Sequence, residues 1–479
     1  MTTISSAGIG SGLDVNSIVT QLMTAEKTPL KQMQSEASSI QNKLSAYGKI
    51  QSFTSALRDA SLKLTQATTW ADTTAASSDA SVASATTKTG AATGNYSVTV
   101  QQLASAQTLA SAAYPASMTV GAGVIHIDLG TWAAGQTSLA PKSGSTTADV
   151  TILSTDTLAD VRDKINAAKS GVMASIVNDA SGSRLVLRSS ETGAENGFRI
   201  TTTDGDGNDG DAAGLSALAY APDSGINRLT RTETAVDAKA TVNGLSITSA
   251  KNQLSGVVDG LDLKLSKVSA TPVDISVTSN TDAMKTAITA FTDAYNNLNK
   301  YLTDQTKYDS ATKVAGTLQG DSGTNSLRMA MRNMVSSTSG ASGLYHRLSE
   351  IGIQAATDGS LSVDSTKLSS ALGHVDDLKS LFANKDALVD TNNGFARRLQ
   401  TWSDKLLSFD GTLSSRSDSL QRQIDANSKK QDAFNTRLTS VEARMRAQYS
   451  ALDTKMASLN SLSAYMTQQI TQMNKSSSG

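Results

Sequence analysis

The sequence contains no cysteine and only five prolines among its 479 residues. Without cysteine the chain cannot form disulfides or use thiolates as nucleophiles or metal ligands, so packing or assembly must stabilise it. Apolar residues make up 38% and aromatic residues 4% of the composition, which indicates thin hydrophobic cores in an extended, soluble protein. The length predicts about three domains.

Three further absences exclude classes of function. The formal net charge is −1, which argues against nucleic-acid binding because such binding requires a concentrated basic surface. No run of about 18 apolar residues occurs, so we expect neither a transmembrane helix nor membrane insertion. The N-terminus has no basic segment followed by an apolar core, so we expect no cleaved secretory signal peptide.

Residues suited to catalysis are also scarce. The histidines His126, His346 and His374 are far apart in the sequence, and neither a Gly-x-Ser-x-Gly nucleophile motif nor a metal-ligand spacing occurs. His126 stands between two isoleucines in a predicted strand, where a surface histidine is the ordinary explanation. We therefore expect no enzyme, no cofactor, and no catalytic or metal-binding residue.

Two short motifs resemble ligand loops but fit them poorly. The alternating glycines in residues 8–12 suggest a dinucleotide loop, yet no strand precedes them and Leu13 occupies the third glycine position. Residues 204–211 resemble half of a calcium loop, but Asp209 and Leu215 stand where such a loop needs glycine and glutamate. We interpret the first segment as a flexible lead-in and the second as a solvated turn.

The clearest signal that the sequence does contain is an apolar stripe in residues 420–473. One row recurs every seven residues and a second follows it by three or four, which is typical of one face of a long helix. Residues 412–478 contain neither glycine nor proline. A helix of about fifty residues is about 75 Å long, too long for a small globular core to cover, so the stripe needs other long helices as partners.

The N-terminal region offers such a partner. Asp14 is predicted to cap a short amphipathic helix, and Thr28 followed by Pro29 is predicted to cap and start a second, longer one. We interpret the two ends of the chain as lying side by side in a coiled coil. The alternative, that they are ordinary core helices of unrelated domains, stays open. The side chains expected to mediate docking and pairing are Ile9, Leu13, Ile18, Leu22, Leu30, Met33, Ile40, Leu44, Leu438, Met445, Leu452, Leu459, Met466, Ile470 and Met473.

The middle of the chain shows strand patterns. Apolar residues alternate with polar ones in segments 96–100 and 273–277, and further strands are predicted at 124–129, 172–177 and 185–187. A short helix is predicted at residues 157–168, and the Asn243-Gly244 and Asp259-Gly260 pairs predict tight hairpins. Helices resume near Thr281. The order of elements predicts an α+β multidomain fold, with paired terminal helices and a helical bundle as a base and β-rich domains inserted between them.

At this point several motifs match a known family. They lie, in order, in residues 4–33 (with the run Gly-Ile-Gly-Ser-Gly-Leu-Asp), 96–104, 294–296, 316–321, 351–361 and 381–382. In their order and spacing the chain resembles the flagellar filament cap proteins, also called hook-associated protein 2, over essentially its full length. Residues 124–187 also resemble the repeat of flagellins and hook proteins, and residues 249–252 depart from the usual pattern of the family.

The resemblance implies a leg of paired terminal helices and a β-rich head. On this basis the domains are residues 1–70 (docking segment and coiled-coil helix), 71–110 (strands joining leg to head), 111–235 (outer β-rich head with the flagellin/hook-like repeat), 236–280 (inner head strands and hairpins), 281–400 (helical leg) and 401–479 (C-terminal coiled-coil helix).

The resemblance also implies a function and partners. About five or six copies would form a ring at the distal, extracellular tip of the flagellar filament, where it retains exported flagellin and promotes its folding and insertion. Expected partners are other copies, flagellin, the hook–filament junction proteins, and an export chaperone at the C-terminal region. Export would use the flagellar type III channel. The alternative is a distal adhesin whose β-rich head binds host glycans or cells.

Overall fold

The computed structural model describes residues 14–115 and 117–476 and divides into two compact units. The helical unit comprises residues 14–70 and 281–476, and the strand unit comprises residues 71–280 except 116. The predicted docking residues Ile9 and Leu13 and the glycines of segment 8–12 lie outside the described residues.

The helices account for most of the helical unit, and one helix belongs to the strand unit. In chain order they are α1 (Val15–Glu26), α2 (Thr28–Thr65), α3 (Ala67–Trp70), α4 (Leu158–Ala167), α5 (Thr281–Thr306), α6 (Ser322–Ser336), α7 (Ser365–Ala371), α8 (Val375–Ala383), α9 (Phe395–Leu407) and α10 (Thr412–Ser476).

The strands are mostly short. In chain order they are β1 (Thr73–Ser77), β2 (Ala83–Thr87), β3 (Gly94–Gln102), β4 (Thr108–Ala110), β5 (Gly123–Trp132), β6 (Leu139–Pro141), β7 (Ala148–Ile152), β8 (Val172–Asp179), β9 (Gly182–Ser189), β10 (Gly197–Asp204), β11 (Tyr220–Ala221), β12 (Ile226–Asn227), β13 (Thr230–Glu233), β14 (Ala238–Val242), β15 (Leu245–Ser249), β16 (Gln253–Val258), β17 (Leu261–Leu265), β18 (Val273–Ser279), β19 (Tyr308–Asp309), β20 (Val314–Ala315), β21 (Ile353–Ala355) and β22 (Leu361–Val363).

The predicted C-terminal helix is confirmed. α10 runs for 65 residues, about 100 Å, because nothing in its sequence interrupts the backbone hydrogen bonds. It begins soon after Gly411, where a Cβ would lie 2.3 Å from the carbonyl oxygen of Leu406. Glycine therefore permits the close turn between α9 and α10.

Of the two predicted N-terminal helix caps, the one at Asp14 is confirmed and the one at Thr28 is wrong. Asp14 caps α1, since its carboxylate accepts a hydrogen bond of 2.9 Å from the Ser17 amide. Thr28 does not cap α2. The preceding residue, Lys27, has helical φ and ψ, and its amide donates to the Met23 carbonyl, so α1 continues into α2 with scarcely a break. Thr28 is thereby the first helical residue, and Pro29 is accommodated in the first turn.

The core of the helical unit forms around α5, the helix that was predicted to begin near Thr281. Its inward side chains include Met284, Ile288, Phe291, Tyr295 and Leu298, all 1% exposed or less. They pack with residues of α2, α6, α8 and α9 in one continuous cluster. The face is buried because apolar residues recur every three or four positions along α5.

The strand unit has two hydrophobic cores. One lies beneath the sheet of order β1-β18-β3-β14-β15 and the smaller sheet of order β16-β17-β2. Residues 71–110 and 236–280 were expected as separate segments, yet strands from both pair in these two sheets. The second core lies between α4 and the sheets that contain β5 to β13, with β4 contributing Leu109.

Both predicted hairpins are present. Asn243 (φ 50°) and Gly244 (φ 81°) join β14 to β15, and left-handed φ at both turn residues suits the twist of the strands. Gly260 (φ 72°) lies between β16 and β17. In the acidic turn, residues 205–210 are exposed as expected, but Asp204 is buried and accepts a hydrogen bond of 2.8 Å from the Ser216 amide.

Candidate assembly site: the paired terminal helices

The N-terminal helix α1 packs against the middle of α10. Val15, Val19 and Met23 repeat every four residues, so they share one face of α1, and all three are buried together with Leu438 of α10. Half-buried side chains complete this cluster: Leu30, Phe434, Val441, Met445 and Tyr449. The two ends of the chain therefore lie side by side, as the sequence predicted.

A polar layer interrupts the apolar contact between α2 and α10. The row of residues that recurs every seven positions runs from Ile424 through Gln431 and Leu438 to Met473, and Gln431 is its one polar member. The Gln431 side-chain amide donates to Asn427 Oδ1 over 2.6 Å. The Nδ2 of Asn427, a residue that is 5% exposed, donates to Glu36 Oε2 over 3.2 Å. Asn427 is buried, whereas Gln431 is half-buried and Glu36 is exposed. A shifted alignment would leave the buried Asn427 side chain without these partners, so the contact favours one register.

A second polar contact ties the start of α1 to α10. The Nη1 of Arg446 donates to Asn16 Oδ1 over 2.9 Å, while Glu442 holds the same guanidinium through a 2.8 Å ion pair. Because α1 starts at Val15, Arg446 and Tyr449 mark the last part of α10 that it covers.

Beyond residue 449 the large apolar side chains of the stripe are exposed. They are Leu452 (45% exposed), Met456 (36%), Leu459 (58%), Leu462 (57%), Tyr465 (58%), Met466 (53%), Ile470 (54%) and Met473 (66%). A contiguous apolar face of this length is unusual on a monomer, where exposed apolar side chains are usually scattered singly.

The predicted docking residues fall into three groups by exposure. Ile40 and Leu438 are buried, whereas Ile18, Leu30, Met33, Leu44 and Met445 are half-buried. The exposed ones are Leu22 (38%), Leu452, Leu459, Met466, Ile470 and Met473. The structure thus brings the first part of the stripe into contact with α1 and α2 and leaves the last part on the surface. Their role in assembly stays a prediction.

The sequence analysis did not predict a cluster of polar contacts around Asp321, near the start of α10. Asp321 caps α6 by accepting a 2.9 Å hydrogen bond from the Thr324 amide, and Tyr47 of α2 donates to the same carboxylate over 2.7 Å. Arg416 of α10 forms a 2.9 Å ion pair with it and lies 5.9 Å from the Tyr47 ring centre. Three helices that are distant in sequence therefore meet at one carboxylate.

Burial and hydrogen bonding oppose each other at Asp321. Burial acts to raise the pKa of this carboxyl, but hydrogen bonds from the Thr324 amide, Tyr47 and Arg416 outweigh it and hold the pKa below its usual range. Burial raises the pKa of the Tyr47 hydroxyl, so that group remains a donor at neutral pH. The only sequence signal was the aspartate that ends the motif at residues 316–321.

Three asparagine side chains hold backbone segments in place within the motifs that carried the resemblance. Asn252 receives a 2.7 Å hydrogen bond from the Ala104 amide and returns one of 2.9 Å to its carbonyl. The side-chain amide of Asn296 donates to the Leu361 carbonyl over 2.8 Å, and Asn296 Oδ1 accepts a hydrogen bond of 2.7 Å from the Leu361 amide. In the flagellin-like segment, Asn166 at the end of α4 holds Ala174 of the edge strand β8 by two bonds of 2.9 and 2.8 Å.

The histidines and acidic residues do not converge on a metal site in the part of the chain that the structure describes. His126 contacts Asp149 (2.6 Å) and Thr203 (3.0 Å) across three neighbouring strands. Within residues 14–115 and 117–476, no group of three or more potential metal ligands converges. No helix there combines the length and apolar character that crossing a bilayer requires.

Family models match most of the chain. The model described as "Flagellar hook-associated protein 2 C-terminus" matches residues 235–461, and its N-terminal counterpart matches residues 11–107. The model described as "Flagellin hook IN motif" matches residues 142–191, which overlaps the repeat expected at 124–187.

Relatives and a solved structure match along the chain. The flagellar hook-associated protein 2 of Escherichia coli K12 is 30% identical over 482 residues, 98% of each chain. The A-type flagellar hook-associated protein 2 of Pseudomonas aeruginosa is 31% identical over 497 residues, 97% of each chain. The crystal structure of the D1-D2-D3 domains of the flagellar cap protein FliD from Escherichia coli aligns with a TM-score of 0.58 and 27% identity, covering 78% of this chain and 99% of that one. The chain belongs to the flagellar hook-associated protein 2 family, the filament cap proteins of the bacterial flagellum.

Proposed function

We propose that copies of this chain form a ring at the filament tip that retains exported flagellin beneath it and promotes its folding and insertion. The chain is a filament cap protein by family membership, and cap proteins lie outside the cell at the tip of the filament. The observation that carries the mechanism is the apolar face of residues 452–473, which the single chain leaves exposed.

The exposed face suits a part that orders on assembly. Each large apolar side chain contributes roughly 1.5 to 3 kcal/mol when it passes from full exposure to full burial. Eight such residues line the face, and none is more than about two thirds exposed, so the gain is smaller than the full sum. This gain is available only when a neighbouring copy or a filament subunit covers the face. Folding coupled to assembly fits a protein that travels unfolded and is then fixed in place.

The finer partner assignments are part of the same proposal. We infer that the ring contains about five or six copies and that the chain contacts the hook–filament junction proteins during assembly. An export chaperone would bind the C-terminal region before assembly, because the apolar face of residues 452–473 otherwise invites aggregation. Export through the flagellar type III channel would need no cleaved signal peptide.

Two other functions have less support. None of the relatives described above is named as an adhesin, so no observation supports the binding of host glycans by the strand unit. The family is structural, and we expect no catalysis. The His126–Asp149–Thr203 arrangement lies on an exposed sheet face, where a substrate would stay in contact with bulk water.

Charge placed on the exposed stripe tests the proposal. The full chain carrying Leu459→Glu and Ile470→Glu is compared with a control carrying Ser461→Glu and Gln468→Glu, which adds the same charge at exposed positions beside the stripe. We expect the stripe variant alone to lose oligomers in light scattering and to fail to support filament growth in cells that lack their own cap protein. Normal assembly and growth by the stripe variant would refute the proposal.

A further inference from the structure

The sequence carries its sulfur in methionine alone. It contains 13 methionines and no cysteine, so the thioether is the group that a peroxide oxidises most readily in this chain. The methionine sulfur takes up one oxygen atom from hydrogen peroxide, a lone pair on sulfur forms the new S–O bond, and the peroxide leaves as water. The product is a sulfoxide, which is polar. The positions of the exposed methionines therefore decide which surface of the chain responds to an oxidant.

Exposure divides the methionines of the described residues into protected and reachable ones. Met23, Met284 and Met331 are 4% exposed or less, which shields their sulfur atoms from an oxidant. Those that are more than a third exposed are Met173 (56%), Met329 (53%), Met456 (36%), Met466 (53%) and Met473 (66%). The last three of these belong to the apolar face of residues 452–473, so most of the reachable thioethers lie where the proposed function needs apolar contact.

The methionines of this face have large apolar neighbours one helical turn away. Met456 stands four residues after Leu452 and three before Leu459. Met466 stands four residues before Ile470. Residues three or four positions apart are adjacent on the surface of a helix, so an oxygen added to either sulfur lies within the apolar row. Covering that row with another apolar surface would bury the sulfoxide without a hydrogen bond, which is unfavourable.

We propose that Met456, Met466 and Met473 form an oxidation-sensitive site, at which a peroxide converts the thioethers of the unassembled chain to sulfoxides and so blocks assembly through the face of residues 452–473. The face must lose its water when a neighbouring copy or a filament subunit covers it, and three sulfoxides oppose that transfer. Methionine sulfoxide reductases, which use a dithiol as reductant and release the oxygen as water, restore the apolar face. The inference rests on the proposed function, to which it adds a chemical control of assembly.

Exposed methionines elsewhere in the chain provide a matched control. Met173 in β8 and Met329 in α6 are at least as exposed as Met466, yet they lie outside the face of residues 452–473. The face variant carries Met456→Leu, Met466→Leu and Met473→Leu, and the off-face variant carries Met173→Leu and Met329→Leu. Both variants and the unmodified full chain are treated with hydrogen peroxide.

Three measurements follow the treatment. Peptide mass spectrometry determines the oxidation of each methionine, circular dichroism checks the fold, and light scattering over a range of concentrations compares each protein with its own untreated sample. We expect peroxide to raise the concentration at which the unmodified chain and the off-face variant form oligomers by roughly tenfold or more, the effect of burying an unpaired polar group. The face variant should behave as it does untreated. Methionine sulfoxide reductases and a dithiol should restore the oligomers of the oxidised chain.

The outcomes separate this inference from the proposed function. The inference is refuted, and the proposed function stands, if the three methionines of the face are oxidised and oligomers form as before, or if they resist peroxide while Met329 reacts. It is also refuted if peroxide dissolves the oligomers of the face variant as fully as those of the unmodified chain, because other methionines are then responsible. An untreated chain that stays monomeric at every concentration would overturn both.

Discussion

The hydroxyl of Tyr47 lies 2.7 Å from Oδ1 of Asp321, although 274 positions separate the two residues in the sequence. This hydrogen bond joins the middle of α2 to the start of α6, and Arg416 brings α10 to the same carboxylate. One aspartate therefore holds together the first and last long helices and the bundle between them.

Replacing Asp321 by alanine should destabilise the helical unit by about 2 kcal/mol. The loss combines a helix cap with the unpaired Tyr47 hydroxyl and Arg416 guanidinium. Chemical denaturation followed by circular dichroism measures it. Asp364→Ala is the matched control, since Asp364 caps α7 but has no such cross-helix partners, and about 1 kcal/mol is expected there. Equal losses would show that Asp321 acts only as a cap.

The same carboxylate predicts a dependence on pH. Because the folded-state pKa of Asp321 lies below its unfolded value, its charge stabilises the fold above about pH 4, and that stabilisation is lost as the pH falls through the folded-state pKa. The difference in unfolding free energy between the protein and Asp321→Asn should therefore shrink as the pH is lowered from 6 towards 2. If this difference in unfolding free energy stayed constant over the range of about four pH units, Asp321 would not be ionised in the folded protein.

Replacing Asn252 by alanine should destabilise the strand unit by about 1 to 3 kcal/mol. Two hydrogen bonds to Ala104 are lost, each contributing roughly 0.5 to 1.5 kcal/mol. Asn227→Ala is a suitable control because Asn227 is exposed and its side chain has no hydrogen bond among the described residues. Thermal unfolding should show a lowered midpoint for Asn252→Ala and an unchanged one for Asn227→Ala. An unchanged midpoint for Asn252→Ala would mean that other contacts hold the backbone at Ala104 in place.

The methionines of the exposed stripe should matter for assembly more than for the fold. Met456, Met466 and Met473 are 36%, 53% and 66% exposed, so replacing them by valine should change the free energy of unfolding little. Their flexible side chains can adapt to non-equivalent neighbours, whereas valine is restricted at χ1, so filament growth should fall. Replacement by leucine, which keeps the volume and more of the flexibility, should impair growth less. Parallel losses of stability and growth would contradict this role.

Much of the fold could be predicted from the sequence because the responsible signals are local. The absence of glycine and proline from residues 412–478 allowed one long helix, and the Asn243-Gly244 pair required left-handed backbone at a tight turn. The predicted cap at Thr28 was wrong because Lys27 already has helical φ and ψ, so no separate start was needed.

The seven-residue row by itself determined which face of α10 is apolar, since side-chain direction follows from the helical period. Only the tertiary structure decided that this face is covered up to Tyr449 and exposed from Leu452 onward. The reason is geometric: coverage depends on where α1 begins along α10, and periodicity in one helix carries no information about the length or register of its partner. The meeting of Tyr47, Asp321 and Arg416 was likewise decided by packing, because hydrogen bonds between residues distant in the chain leave no local pattern in the sequence.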